Sequence, residues 1–254
     1  MHNNLPAYFI SDAHLGIRIP TCKYREAQLI DFLKSIASRT GSLYIVGDLF
    51  DFWIEYKHAI RPDYFAVLHQ LRILVEQGVE IHYLAGNHDF ALGSFLTDTI
   101  GISIHPDAYE TVIQGKKLYM YHGDGLVRAD AGYRLLKKIL HNPFNQKFYR
   151  LLHPDIGVPL GSLCSGSSRK VTSKRRHEAF LEEYRVKARQ LLSTDIDIVV
   201  FGHTHCPEIH HWGNKTYCNV GEWMYSFTYA LLENGSMSLW EYHLGQESRE
   251  ITPQ

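Results

Sequence analysis

Seven residues carry the chemistry that the sequence suggests: Asp12, His14, Asp48, Asn87, His122, His203 and His205. They sit in short polar runs, Asp12-Ala13-His14, Gly47-Asp48, Gly86-Asn87-His88-Asp89, His122-Gly123-Asp124 and Gly202-His203-Thr204-His205. Imidazole mixed with carboxylate and amide oxygen suits borderline divalent ions such as Mn, Fe, Zn or Co. Seven ligands are too many for one tetrahedral ion. With one carboxylate shared, they serve two ions roughly 3.5–4 Å apart, the arrangement used for phosphate-ester hydrolysis. Each run alone is an ordinary turn; the conjunction of five is what signals a site.

The elements that must position these residues are legible around them. Tyr8–Ile10, Leu43–Val46, Val79–Leu84, Lys117–Tyr121 and Ile196–Phe201 read as short strands, each running directly into one polar motif. In a strand, residues i and i+2 point the same way, so the side chains of Asp12 and His14 can reach one ion. Helical patterns near Glu26–Ala37 and Asp63–Glu76 separate the first three strands. Such alternation predicts βαβ units whose loops leave one end of a sheet. From Ile209 to His243, successive short strands turn at Gly213-Asn214 and Asn234-Gly235. The expected architecture is α/β (α+β), a mixed sheet or two stacked sheets with helices outside.

Length and charge bound the rest. The chain has 254 residues with a formal net charge of −1, enough for one sizeable core or a domain with an insertion. The neutral total hides two halves. Residues 125–190 hold 14 Lys or Arg and five acids, a net +9, which leaves −10 on the remainder. That segment reads as helices near Ala131–Leu140, Pro143–Leu152 and Arg169–Leu192, joined by a Gly/Ser stretch, Gly161–Ser168, expected to be flexible. A basic helical segment beside a phosphate site suits a lid that steers anionic substrates or touches anionic lipid. The near-neutral whole argues against nucleic acid held by bulk charge. No apolar run approaches the length needed to span a bilayer. MHNNLPAYFI lacks the features of a secretory signal. Cys22, Cys164, Cys206 and Cys218 form no disulfide framework, so a reducing, cytoplasmic setting is expected.

Taken together, Asp12-Ala-His14, Gly47-Asp48-Leu-Phe-Asp51, Gly86-Asn87-His88-Asp89, His122-Gly123-Asp124 and Gly202-His203-Thr204-His205 resemble the five blocks of the calcineurin-like metallophosphoesterases. The resemblance implies a four-layer fold, two stacked mixed sheets flanked by helices. It implies one metal ion on Asp12, His14, Asp48 and His205, and another on Asp48, Asn87, His122 and His203. It also implies catalytic roles for Asn87 and for His88 supported by Asp51, with the imidazole placed to act as general acid.

A narrower resemblance concerns the branch that cleaves UDP-2,3-diacylglucosamine to UMP and a lipid monophosphate in lipid A biosynthesis. It rests on Gly47-Asp48-Leu49-Phe50-x-x-Trp53, Asn87-x-Asp89-Phe90-x-Leu92-Gly93, Asp130-Ala131-Gly132-Tyr133, the basic insertion and Gly221-x-Trp223. That branch often has arginine where this chain has His88. The resemblance implies a single domain over 1–254 with a helical lid insertion at 125–192, acyl chains beneath the lid, and sugar contact by Asp130. Arg169, Lys170, Lys174 and Arg175, with His203, are candidate substrate contacts. Manganese is the expected metal in both positions, and the inner-membrane surface the expected partner of the basic lid. Helix Pro143–Leu152 places Phe144, Phe148 and Leu151 near one face, beside Lys147 and Arg150. Asp124 and Glu222 are candidate partners of the ligand imidazoles. Another nucleotide or small-molecule phosphodiesterase, a nuclease and a metal-free scaffold on the same fold are the alternatives.

Overall fold

The computed structural model describes residues 5–17, 19–20, 22–127, 142–167 and 174–252. Fourteen strands are described: β1 (Ala7–Ile10), β2 (Ser42–Val46), β3 (Trp53–Ile54), β4 (Glu80–Leu84), β5 (Asp89–Ala91), β6 (Ser103–His105), β7 (Tyr109–Ile113), β8 (Lys116–Tyr121), β9 (Ile198–Phe201), β10 (Glu208–Trp212), β11 (Lys215–Asn219), β12 (Thr228–Glu233), β13 (Ser236–Glu241) and β14 (Arg249–Glu250). The helices are α1 (Cys22–Ile36), α2 (Phe65–Glu76), α3 (Pro143–Tyr149), α4 (Pro154–Ser167) and α5 (Lys174–Leu192), with a π-helical turn at Phe95–Ile100.

Side-chain alternation builds the layers. Along β1, Tyr8 and Ile10 face α1 and α2 with Leu29, Phe32 and Leu71, while Ala7 and Phe9 face the opposite way into a second core. A strand covered on both faces has no polar side, which is why β1 is buried at every residue. The second core is shared with Leu118 and Met120 of β8 and Ile198 and Val200 of β9. The other faces of those strands, Tyr119 with Val199 and Phe201, pack on Tyr184, Ala188 and Leu192 of α5. The result is helix, sheet, sheet, helix, the four-layer arrangement expected.

The first sheet runs β14-β13-β12-β1-β2-β4-β6, and the second β10-β11-β9-β8-β7. β1, β2, β4 and β6 are parallel, as are β8, β9 and β11. Ile10 pairs with Ile45, Val46 with Leu84, and Tyr121 with Phe201. The C-terminal ends are therefore level, and all five motif loops leave the same end of the sandwich. The turns read at Gly213-Asn214 and Asn234-Gly235 close the β10–β11 and β12–β13 hairpins.

The Gly161–Ser168 stretch departs from expectation. It is helical through Ser167, as the end of α4. A Cβ on Gly161 would collide with the Phe52 ring, so the missing side chain there serves close packing of α4 on an aromatic and not a hinge. Within the basic segment, α5 forms the outer layer on the second sheet. Asp130, Arg169 and Lys170, and the helix expected at Ala131–Leu140, lie outside the described residues, as do the side chains of Lys174 and Arg175.

Candidate metal centre

Each motif follows its strand, but the geometry differs from two residues of an extended strand. β1 ends at Ile10 and β9 at Phe201, so Asp12, His14, His203 and His205 all lie past the strand ends. Among the described residues eight non-glycine residues have positive φ. Five of them are Asp12, His14, Asp48, His203 and His205, with φ of 52°, 43°, 52°, 66° and 57°. Left-handed backbone at such residues costs about 1–3 kcal/mol each and persists only where the surroundings impose it. The strain is concentrated on the candidate ligands.

Hydrogen bonds that impose it run between loops. The N–H groups of Asp12 and His14 donate to the carbonyls of Gly47 and Asp48 at 3.1 and 2.9 Å. The His203 N–H donates to Asp12 Oδ2 at 2.9 Å, and the Trp223 N–H to the Asp12 carbonyl at 3.2 Å. His122 Nδ1 donates to the Val46 carbonyl at 2.8 Å, which ties the second sheet to the first and turns Nε2 toward the other ligands. A Cβ on Gly86 would collide with the Asp48 carboxylate, so only glycine lets the Asn87 loop come this close.

Two groups of donor atoms result. His205 Nε2 lies 3.2 Å and His14 Nε2 3.5 Å from Asp12 Oδ1, and the two nitrogens are 3.3 Å apart. Asp12 Oδ1 is buried without a hydrogen bond. Asn87 Oδ1 sits 2.8 Å from His203 Nδ1 and 3.0 Å from His122 Nε2, which is 3.3 Å from Asp48 Oδ2. Asp48 Oδ2 also stands 3.9 Å from His14 Nε2, so this carboxylate lies between the groups. An orphaned carboxylate oxygen facing two imidazole nitrogens, and an amide oxygen facing two more, fit divalent cations.

The electrostatics agree. Burial pushes the Asp12 and Asp48 carboxyls up, but the imidazoles outweigh it, His205 then His122 around Asp12, and His122 then His88 around Asp48. Both are held well below the usual carboxylate range. Burial pushes His14 and His203 down to about 4, which keeps their lone pairs available. His122 is opposed by burial yet raised to about 10 by Asp48 and Asp12. Two buried carboxylates thus demand positive charge at this point.

His88 and Asp51 are brought beside this cluster in a different pairing from the one expected. His88 Nδ1 donates to the Asp51 main-chain carbonyl at 2.7 Å, while its distance to the Asp51 carboxylate is 3.9 Å. The same carboxylate oxygen is 3.9 Å from His14 Nδ1. With Nδ1 engaged, His88 Nε2 lies 3.8 Å from Asp48 Oδ2. Glu222 acts on an imidazole only through its charge, which helps to raise His205. Its carboxylate accepts the N–H groups of Met224, Tyr225 and Ser226 and closes the turn that follows. Cys206 is half-buried.

Sequence reasoning assigned nothing to Asp89 or Tyr83. Asp89 accepts the N–H groups of Gly86 and Asp48 at 2.9 and 3.1 Å and the Tyr83 hydroxyl at 2.7 Å. Its place beside His88 was the one available signal. A cavity of about 600 Å³ was also missed. Its walls are the Phe52–Tyr64 segment, His153 and the Pro154–Pro159 part of α4, starting one residue beyond Asp51.

Residues 5–207 match the calcineurin-like phosphoesterase family. The chain is 28% identical to a UDP-2,3-diacylglucosamine hydrolase of Porphyromonas gingivalis, covering 91% of this chain and 95% of that one. It is 30% identical to a UDP-2,3-diacylglucosamine hydrolase of Neisseria meningitidis, with coverage of 91% and 95%. Among solved structures it is similar to the E. coli phosphoesterase Yfce, at 15% identity and a TM-score of 0.46, covering 92% and 91%. With the five motif loops gathered around buried carboxylates and imidazoles, the chain belongs to the calcineurin-like phosphoesterase family and is a metal-dependent phosphoester hydrolase.

Proposed function

We propose that this protein hydrolyses the diphosphate of UDP-2,3-diacylglucosamine to UMP and 2,3-diacylglucosamine 1-phosphate (lipid X), in lipid A biosynthesis. The observation that carries this reading is a junction. The Asp51-Phe52-Trp53 step passes directly from the polar centre to an apolar cavity roofed by α4. A substrate with a diphosphate at one end and hydrocarbon at the other matches both halves. The curated relatives bear the name of that activity.

Asp12, His14, Asp48 and His205 would hold one ion, and Asp48, Asn87, His122 and His203 the other, with manganese in both. The two cations would supply Lewis-acid activation of the phosphoryl group and of water at neutral pH. His88 Nε2 donates a proton to the departing phosphate oxygen, its ring fixed by the Asp51 carbonyl. Asn87 and His203 position the phosphoryl oxygens. Asp130 contacts the sugar, and Arg169, Lys170, Lys174 and Arg175 the diphosphate. The domain is single, with the basic insertion at 125–192 as its lid.

The lid also supports work at the cytoplasmic face of the inner membrane. On α3 and the turn after it, Phe144, Phe148 and Leu151 are 74%, 69% and 75% exposed, with Lys147 and Arg150 exposed beside them. Apolar rings flanked by cations suit an anionic bilayer surface. Among the described residues no helix is long and apolar enough to cross a membrane.

The deciding experiment incubates the purified protein with Mn²⁺ and UDP-2,3-diacylglucosamine, beside a panel of nucleotide diesters. UMP release from the glycolipid in preference to the panel is expected. Turnover of a plain nucleotide diester at equal or higher kcat/KM would replace this reading with a general phosphodiesterase.

A further inference from the structure

The loop that carries His122 is held by three consecutive carbonyls. The His122 carbonyl accepts the N–H of Gly202, just past β9, at 3.0 Å. The Asp124 carbonyl accepts the Tyr121 hydroxyl of β8 at 2.9 Å. Between them, the Gly123 carbonyl accepts the Tyr184 hydroxyl, also at 2.9 Å, from 61 positions away on α5. Tyr184 is fully buried. Phenylalanine would fill the same space; the hydroxyl adds a fixed bond to the backbone beside a candidate ligand. The ring is placed as closely. At Gly123, where φ is 115°, an added Cβ would lie 3.0 Å from Tyr184 Cε1 and 3.4 Å from the His203 Cβ. The ring thus sits in a notch between the residue that follows His122 and His203 itself, its centroid 6.5 Å from that of the His203 imidazole. Phe180 of α5 and Phe201 of β9 flank it, with centroids 5.0 and 6.1 Å away.

We infer that Tyr184 is a positioning residue for the ion assigned to Asp48, Asn87, His122 and His203, and that through it the affinity for that ion depends on how α5 is seated. The inference rests on the two-ion assignment above and adds to it a link from the basic segment to one half of the centre. Groups behind a ligand fix where its donor atom points, and losing one weakens metal binding about 10–100-fold. Tyr184 stands behind two such ligands at once, the imidazoles that meet at Asn87 Oδ1. Asp12 and His14 are held instead by the carbonyls of Gly47 and Asp48, in the loop after β2. The effect therefore falls on one ion and spares the other.

Titration of the metal-free, full-length protein with Mn²⁺ tests this without turnover, unbound Mn²⁺ being counted by its electron paramagnetic resonance signal. The wild-type protein is expected to take up two equivalents. Tyr184→Phe, which keeps the ring, is expected to bind one of them about tenfold more weakly and the other as before. Leu181→Ala removes buried packing from the same helix. It is expected to lower urea stability at least as much as the lost hydroxyl does, yet to leave both affinities unchanged. Wild-type affinities in Tyr184→Phe, or the same loss for both ions, overturn the inference. So does an equal weakening in Leu181→Ala, which would reduce Tyr184 to general packing. A wild-type protein that takes up a single ion overturns the two-ion assignment; Tyr184→Phe then decides the inference on that ion, by weakening it or leaving it unchanged.

Discussion

The Asp89 carboxylate accepts the backbone N–H of Asp48 across 41 positions of sequence, at 3.1 Å. Asp48 stands between the two groups of candidate ligands, so its loop is held by a residue that is not one of them. Burial first, and then the Asp48 charge, push the Asp89 carboxyl up to about 7. The three donors that meet it explain why a carboxylate is nonetheless tolerated there. Asp89→Ala strands two N–H groups and the Tyr83 hydroxyl, at about 1–3 kcal/mol each if all stay buried. Tyr83→Phe removes one partner and is expected to cost about 1 kcal/mol. Urea denaturation of the two variants checks the order.

Removing a ligand is expected to separate activity from folding. Asp48→Ala, Asn87→Ala and His122→Ala each should abolish turnover while leaving the near-ultraviolet circular dichroism intact. Elemental analysis should show less metal per chain. Chelation should do the same to the wild-type protein, with activity restored by Mn²⁺. Full activity after complete chelation would contradict the assignment.

His88→Ala is expected to lower kcat about 10²–10⁴-fold, the usual contribution of a positioned general acid. An unchanged kcat would assign His88 to packing.

The pair Arg185 and Glu208 fastens α5 to the edge of the second sheet. Both Nε and Nη2 of Arg185 donate to one oxygen of the buried Glu208, at 3.0 and 2.7 Å. Arg185→Met leaves that carboxylate buried without its cation, at about 3–5 kcal/mol. Arg185→Met with Glu208→Leu should recover much of the loss, as a double-mutant cycle in urea would show.

A third electrostatic element lies along the β4–β6 edge of the first sheet. His82 stacks on Tyr44 and on His105, which stacks on Tyr109. Burial lowers the pKa of His82 against the pull of Glu80; burial and then His82 lower that of His105. The folded state therefore binds fewer protons than the unfolded chain. This stability is fully present above about pH 6.5, the unfolded value, and is lost as pH falls toward the lower folded values. The urea midpoint should fall across that window, and less steeply in His82→Phe.

The five motifs and the strands before them were legible because the required residue types are rare in combination and strand-to-loop punctuation is local. Boundaries moved by only one or two residues for β1, β2, β4, β8 and β9. The backbone at Asp12, His14, His203 and His205 was not legible. A period of two describes a strand, and these residues are held left-handed beyond the strand ends by bonds from other loops. Gly161 misled for a related reason: glycine reads as flexibility until the Phe52 ring that occupies its missing side chain is seen.

By itself the sequence determined the donor set, its order along the chain and the charge split between the +9 segment and the rest. These depend on residue identity and local spacing alone. Tertiary structure decided which atoms meet. The His88 ring bonds the Asp51 carbonyl and not its carboxylate, Asp89 reaches back to Asp48, and Trp53, Tyr56 and Arg61 share one cavity wall. Such meetings follow from parallel register and from two sheets stacked face to face, which bring distant segments within a few ångströms and leave no trace in local composition.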